Sequence, residues 1–371
     1  MRGFNEDSGG FTRKVEIFYD FCLMVFAHEI IQWYEKNKRD LPWRNTKNPY
    51  LIWLSEVILQ QTRVAQGLSY FHTFAEAYPT VQSLASSTEE QILRDWQGLG
   101  YYSRARNLLK TSRIVMERYH GIFPSRYKEL IALPGIGEYT ASAIASFAAN
   151  EVFPVVDGNV FRVLARYFGI SEPINSLKGK KKFTALAREL IDVEQPGTYN
   201  QAIMEFGALQ CLPRNPACGN CPLHLGCFAY QHKQVERLPV KLKRRVLRNR
   251  YFHYFVVRED DRVWVRKRGK ADIWQHLYEF PLVETEMEME MPVLSVHPTV
   301  IQYFGKSFTV AYRSKLYKHV LTHQRIHARF YELKGAILNE HEKKDWNYVF
   351  IKELDKLAKS KLIVSFYDSY F

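Results

Sequence analysis

Between Val25 and Phe228, apolar residues recur at three- and four-residue spacing, the mark of amphipathic helices. The pattern predicts helices over Phe26–Tyr34, Trp53–Val64, Glu89–Trp96, Ala105–Tyr119, Tyr139–Ala149, Val160–Phe168 and Phe183–Ile191. Short connections rich in Pro, Gly and Asn separate them. Cap chemistry marks two of the starts, at Ser87-Thr88-Glu89-Glu90 and at Pro124-Ser125. Beyond Cys227 the period changes. Tyr251–Arg258, Arg262–Arg266, Phe308–Tyr312, Leu316–Leu321 and Ile326–Leu333 read as strands, with Glu259-Asp260-Asp261 as a hairpin turn between the first two. The Glu/Met alternation of Glu284–Met291 reads as an acidic loop or edge, and Phe350–Lys359 as a final helix. The chain is therefore expected to be multi-domain. Residues 1–23 read as an N-terminal extension, since Met24 directly precedes the first helical pattern. Residues 24–230 form an all-α domain, 231–249 a basic linker and 250–371 an α+β domain. There is no internal repeat.

Charge changes this picture first. The 371 residues carry a formal net charge of +13, which implies a polyanionic partner, nucleic acid before an anionic membrane surface. Lys241–Arg250 alone has six basic residues in ten. No run of 18 apolar residues offers a membrane span. The short apolar segment Phe18–Phe26 is interrupted by Asp20 and lacks a small-residue cleavage site. A monomeric, cytoplasmic protein without membrane association is expected, nucleoid-associated if bacterial, and that compartment disfavours disulfides.

The cysteines agree with that reading. Four of the five crowd into 17 positions as Cys211-x6-Cys218-x2-Cys221-x5-Cys227, while Cys22 lies far away. That is metal-site spacing. Four thiolates suit a [4Fe–4S] cluster or a structural zinc ion. Zinc ribbons generally present two C-x2-C knuckles, and this stretch has one. Upstream, Leu133-Pro-Gly135-Ile-Gly137 has the two glycines of a tight turn entering a helix, whose free N–H groups suit a phosphate. Val155-Val-Asp157-Gly-Asn159-Val-Phe-Arg162 places an Asp just before a helix start. The ordinary reading of such an Asp is a helix cap. Glu56, in an otherwise apolar helix, is ordinarily a paired or solvated residue.

Taken together, these strings resemble a known family. Leu41-Pro-Trp-Arg44, Pro49-Tyr-Leu-Ile-Trp-Leu-Ser-Glu56-Val-Ile-Leu-Gln-Gln61-Thr62-Arg63-Val64 and Gly98-Leu99-Gly-Tyr101-Tyr102-Ser-Arg104-Ala-Arg106-Asn107 are similar to the adenine glycosylase (MutY) family of the helix-hairpin-helix, endonuclease III superfamily. The resemblance spans about residues 26–230. It implies an all-α helix-hairpin-helix glycosylase domain closed by a [4Fe–4S] cluster on Cys211, Cys218, Cys221 and Cys227. It also implies base excision repair: hydrolysis of the N-glycosidic bond of adenine mispaired with 8-oxoguanine or guanine in duplex DNA. In that reading Glu56 is a catalytic acid kept protonated in a dry pocket, and Asp157 stabilises the sugar cation. Tyr139 and Asn159 line the sugar side, and Arg44 and Glu205 contact adenine. Gln61, Thr62, Leu99 and Tyr101 contact the strand bearing the oxidised guanine, while Gly135 and Gly137 approach a phosphate. Strand-cutting relatives carry a lysine where this chain has Tyr139, so the resemblance implies a monofunctional enzyme; a Schiff base needs an amine.

The second domain resembles the MutT-like (Nudix-fold) domain of the same family. Trp274-Gln-His-Leu-Tyr278-Glu279-Phe-Pro281 matches its W-x2-L-W-E-F-P segment, with Tyr278 for the second Trp. The Glu-rich Nudix metal box is missing, which argues against pyrophosphatase activity. His319-Val-Leu321-Thr322-His323 resembles the family's H-x-F-S-H loop. Thr322 and His323 would then touch the oxidised guanine, the hydroxyl surviving although Leu321 replaces Phe. His327 reads as structural. Two other classes stand as alternatives: a superfamily glycosylase acting on mismatched thymine or oxidised pyrimidines, and a non-catalytic DNA-damage-binding protein. Glu56 and the second domain argue against the first, and the presence of both Glu56 and Asp157 against the second.

Overall fold

The computed structural model describes residues 24–243, 247–270 and 272–371. They form two compact units. One takes in the chain up to Ala65, Ala75–Gln82 and Thr111–Lys243, and the other takes in Gln66–Phe74, Ser83–Lys110 and Arg244–Phe371. Cys22 and the N-terminal extension lie outside the described residues, as do residues 244–246 of the basic stretch.

The first unit is helical. Residues 24–37 and the helices Gly158–Phe168, Leu177–Leu190 and Pro196–Leu209 close over a core containing Phe26, Ile30, Val163, Leu164, Phe183, Ile203 and Phe206. Gly207 lets two of these helices touch. A Cβ there would come within 2.6 Å of Asn159 Cβ, so the Pro196–Leu209 helix reaches the start of Gly158–Phe168 only because the residue is glycine. The helix Pro49–Leu59 starts at Asn48, whose side chain accepts from the Tyr50 N–H, with Pro49 at the first helical position. Every side chain from Ile52 to Ile58 is buried, so this helix runs through the interior.

The second unit is built on an eight-stranded sheet. Its order is β3 (Tyr278–Glu279), β2 (Arg262–Lys267), β1 (Arg248–Glu259), β7 (Gln324–Lys334) and β5 (Thr309–Arg313); β4 (Leu282–Thr285) also pairs β1, β6 (Tyr317–Val320) pairs β7, and β8 (Asn347–Phe350) pairs β2. The long β1 and β7 are parallel, from Arg248↔Gln324 to Val257↔Leu333. Alternation along β1 serves two cores. Phe252, Tyr254 and Val256 face Phe330 and Phe366, whose rings stack at 3.9 Å. Phe255 and Val257 face Val300, Phe304, Tyr331 and Trp346. The expected hairpin is present, with Glu259 opposite Arg262 across Asp260-Asp261.

Several expectations need correction. The helix expected over Phe350–Lys359 is a 3-10 turn, Ile351–Lys356, and the true final helix is Lys361–Tyr370, capped by Ser360. Ala358 and Lys359 are extended and pair with Tyr278, a tertiary contact that overrides the amphipathic pattern. The helix after Pro124-Ser125 is Tyr127–Leu130 with no side-chain cap of its own; the Tyr127 N–H is taken instead by Glu151 Oε2 at 2.8 Å. Trp53–Val64 divides into Pro49–Leu59 and a separate helix, Val64–Ala77. The acidic alternation begins inside β4, and the basic stretch expected as linker already enters β1 at Arg248.

Candidate active site

Two helices of the first unit place the expected acid. Glu56 lies on the buried Pro49–Leu59 helix and is 7% exposed. The helix packed against it, Glu138–Ala149, begins at Gly137 after a turn with Gly135 at φ 75°. That start carries no side-chain cap, so its first N–H groups stay available to an anion. One residue into this helix, Tyr139 hydrogen-bonds the Glu56 carboxyl through its hydroxyl. Gln60 Nε2 donates to Thr140 Oγ1 at 3.2 Å across the same two helices.

Burial pushes Glu56 up to about 7; the Tyr139 bond and the Arg44 charge pull it down, and the Asp157 charge pushes it further up. The Tyr139 hydroxyl is itself driven well above its ordinary value by burial and by the two carboxyl groups. A substantial fraction of the expected acid is therefore protonated near neutral pH.

Asp157 is a helix cap, and it is more than that. Its Oδ1 accepts the N–H groups of Asn159 and Val160, each at 2.8 Å, and its Oδ2 accepts Asn159 Nδ2 at 2.8 Å. Burial pushes its pKa up, while these three donors and the Arg162 guanidinium oppose the push. The two carboxyls thus differ in kind. Asp157 has donors prepared for an anion, whereas Glu56 has one hydroxyl in a drier place. The ordinary reading and the functional one coincide here, because the capping bonds are what favour the charge.

Arg162 extends this arrangement. Its Nη2 donates to Asn159 Oδ1 at 2.9 Å and Gly207 O at 2.6 Å, and its Nε donates to Cys211 O at 2.7 Å. A continuous hydrogen-bonded path therefore runs from Asp157 through Asn159 and Arg162 to the main chain of the first cysteine. The sequence reading includes Arg162 at the end of the Asp157 string but gives it no role.

Arg44 and Glu205 meet, as expected of neighbours in one pocket, but chiefly each other. Arg44 grips Glu205 with two bonds, Nη1 to Oε1 at 2.9 Å and Nη2 to Oε2 at 2.7 Å. Arg39, which sequence reasoning missed, grips the same carboxylate through Nε, Nη2 and its backbone N–H at 2.8, 2.6 and 3.0 Å. Burial raises the Glu205 pKa, but these two arginines outweigh it and hold the group at about 2.

The cysteine loop lies at the other end of the path. Cys211, Cys218, Cys221 and Cys227 line one cavity of about 30 Å³ with Val163, Tyr167, Phe206 and Leu223. None is in a disulfide. Burial pushes the Cys221 thiol up to about 12 and raises Cys218 and Cys227. Arg166 Nη1 donates to Cys211 Sγ at 3.4 Å. Among the described residues, no group of three or more His, Cys, Asp or Glu side chains is closed around a metal-ion position. Four thiols lining one mostly apolar cavity are a donor set that suits a [4Fe–4S] cluster or a structural zinc ion.

The remaining expected contacts divide between the units. Gln61, exposed and at φ 59°, and half-buried Thr62 follow the Pro49–Leu59 helix. In the second unit Tyr101 is exposed at φ 47°, while Leu99 is buried. Thr322 and His323 form the turn between β6 and β7, and the Tyr101 hydroxyl lies 2.7 Å from Thr322 Oγ1. Gln61 and Tyr101 are non-glycine residues in left-handed backbone, a strain that concentrates at functional sites. His319 packs edge-on against Trp274, and His327 stacks on Tyr251.

Comparison with known proteins gives these geometries a family. Residues 54–192 match the HhH-GPD superfamily of base excision DNA repair proteins, and residues 253–368 match the NUDIX domain. A solved thermostable thymine-DNA glycosylase is similar over 56% of this chain and 96% of its own, with a TM-score of 0.53 and 31% identity. The fold and the site thus define a helix-hairpin-helix DNA glycosylase followed by a Nudix domain. Among curated relatives, the adenine DNA glycosylase of Buchnera aphidicola subsp. Schizaphis graminum is 38% identical over 267 residues, 72% of this chain and 77% of that protein. The human adenine DNA glycosylase is 42% identical over 223 residues, 58% of this chain and 41% of that one. The chain belongs to the adenine DNA glycosylase family, and it is a base excision repair enzyme that hydrolyses N-glycosyl bonds. Among the described residues, no helix is long and apolar enough to cross a membrane.

Proposed function

We propose that this enzyme removes adenine mispaired with 8-oxoguanine, and with guanine, from duplex DNA, and that it is monofunctional. The observation that carries the chemistry is the unlike pair of carboxyls, Glu56 held near 7 and Asp157 wrapped in N–H donors. Adenine is inaccessible to a side chain inside the stack, so it is flipped into the pocket. Glu56, protonated, gives its proton to the base at N7. The C1′–N9 bond then breaks with its electron pair leaving on the adenine. Asp157, as the anion, stabilises the cationic sugar, in the two-carboxylate manner of glycosidases. Water adds at C1′ and loses a proton, which leaves an abasic site. Asn159 and Tyr139 orient the two carboxyls. Arg44 faces the base, and Glu205, saturated by two arginines, sets the Arg44 fork.

Gly135 and Gly137 bring the uncapped helix start to a phosphate. Gln61, Thr62, the main chain at Leu99, Tyr101, Thr322 and His323 meet the strand with the oxidised guanine. The four cysteines would hold a [4Fe–4S] cluster, which when bound supplies folding energy and fixes the loop beside exposed Arg214 for phosphate contact. A division into a catalytic domain, a basic linker and a second domain that begins with β1 at Arg248 belongs to this reading, as do a monomeric state and a cytoplasmic location.

The test is single-turnover cleavage of adenine opposite 8-oxoguanine, guanine, cytosine and thymine, with and without alkali. The reading expects fastest release opposite 8-oxoguanine and strand breaks only after alkali. Equal rates opposite all four bases, or breaks without alkali, would contradict it.

A further inference from the structure

The turn that carries Tyr101 is unusually strained and unusually well held. Gly98, Gly100 and Tyr101 all have positive φ, at 93°, 77° and 47°. A tyrosine in this region costs on the order of 1–3 kcal/mol, and such backbone persists only where its surroundings over-determine it. Part of the hold is local. Trp96 Nε1 and Arg104 Nη2 both donate to Gly100 O, at 2.9 and 3.2 Å, and the Arg104 N–H donates to Tyr101 O at 2.9 Å.

The rest comes from the far end of the sequence, within the same compact unit. Ala358-Lys359 is an extended segment. On one side, Ala358 O accepts the Tyr278 N–H at 2.8 Å. On the other side the Lys359 main chain meets two side chains in place of a neighbouring strand. Its N–H donates to Gln97 Oε1 at 2.9 Å, and its carbonyl accepts the Tyr102 hydroxyl at 3.0 Å. The Tyr102 hydroxyl also accepts the Gly98 N–H at 3.3 Å. Gln97 and Tyr102 bracket the strained turn, so both of its ends are pinned to one residue of the α+β fold. Tyr102 and Lys359 are 5% and 3% exposed, which leaves water little access to compete for these bonds.

We propose that Gln97 and Tyr102 are positioning residues: they clamp the Gly98–Tyr101 turn onto the Lys359 main chain and thereby set the Tyr101 hydroxyl against Thr322. The inference rests on the proposed lesion role of Tyr101 and Thr322 only for its consequence in base discrimination. The clamp itself rests on the hydrogen bonds. It gives the C-terminal part of the chain a second way to act on recognition, through the shape of a turn that lies about 260 residues before Lys359 in the sequence.

The experiment uses the full chain with Tyr102→Phe, Gln97→Leu and, as a reference, Thr322→Val. Hydrogen exchange is followed by mass spectrometry, and adenine release is measured opposite 8-oxoguanine and opposite guanine. Tyr102→Phe keeps the ring and removes one hydroxyl, so the fold should survive. Both clamp variants should speed exchange in peptides covering 97–102 and 358–360 and leave the β1–β7 pairing protected. The ratio of the two release rates should fall about threefold to tenfold, the size of one neutral hydrogen bond, with the guanine rate within about twofold of wild type. Tyr102→Phe combined with Thr322→Val should lower the ratio no further than Thr322→Val alone. Unchanged exchange in those peptides overturns the clamp. Faster exchange with an unchanged ratio, while Thr322→Val lowers it, overturns the positioning role. Faster exchange with no effect of Thr322→Val either supports the clamp and overturns the lesion reading instead.

Discussion

Arg162 fixes Asn159 in the amide orientation that serves Asp157. Its Nη2 takes Asn159 Oδ1 at 2.9 Å, which leaves Asn159 Nδ2 to donate to Asp157 Oδ2 at 2.8 Å. The same guanidinium holds Cys211 O, so the expected cation stabiliser and the first cysteine share one support. Lysine keeps the charge but cannot reproduce the planar fork. Arg162→Lys should therefore lower single-turnover adenine release by at least about tenfold, the usual scale for loss of an orienting partner, and lower bound iron as well. Asn159→Leu should lower the rate with iron retained. Full activity and full iron in Arg162→Lys would show that the path carries nothing.

The Glu205 cluster makes a prediction about acid. Its folded pKa, about 2, lies below the ordinary carboxylate value of 4.5. The stability it contributes is therefore present above about pH 4.5 and lost as pH falls toward 2. Arg39→Leu should lower the melting temperature at pH 7 and narrow its gap from wild type in acid. Equal destabilisation at pH 7 and pH 3 would mean that Arg39 acts through packing rather than through the ion pair.

How far the sequence was readable follows from where each signal resides. Glu56, Asp157, Tyr139 and the four cysteines stand in short strings with distinctive spacing, and the structure places the first three together and the cysteines around one cavity. The Pro196–Leu209 helix escaped the periodicity reading although it carries Glu205. Gly197 and Gly207 interrupt its pattern, and both are there because a neighbouring backbone leaves no room for a Cβ. Arg39 escaped because its partner lies 166 residues away. The short strands β3, β4 and β8 gain their identity from long neighbours rather than from their own sequence, and the last helix was misplaced by the pairing of Lys359 with Tyr278. A sign for Arg39 was nonetheless present. A second arginine near Leu41-Pro-Trp-Arg44, in a domain with few buried acids, invites the question of what it pairs with.

Tyr139 occupies the position where strand-cutting relatives are expected to have lysine. Tyr139→Lys should trap a covalent adduct with abasic DNA on borohydride treatment, because an amine placed beside Glu56 and Asp157 forms a Schiff base with the ring-opened sugar. Wild type should give little adduct. Adduct from wild type at the level of the variant would contradict the monofunctional reading.

The central claim is that Glu56 and Asp157 do different work in one pocket, and the pH-dependence of single-turnover adenine release opposite 8-oxoguanine tests it most directly. A neutral Glu56 is the active form. The wild-type rate should therefore fall as pH rises through about 7, where burial has placed the group. Glu56→Gln and Asp157→Asn keep shape but remove the proton and the charge respectively. Each should bind the mispaired duplex yet release adenine at least about 10²-fold more slowly, and Glu56→Gln should lose the fall near pH 7. Near-normal release by both variants, or an unchanged pH profile in Glu56→Gln, would contradict the account.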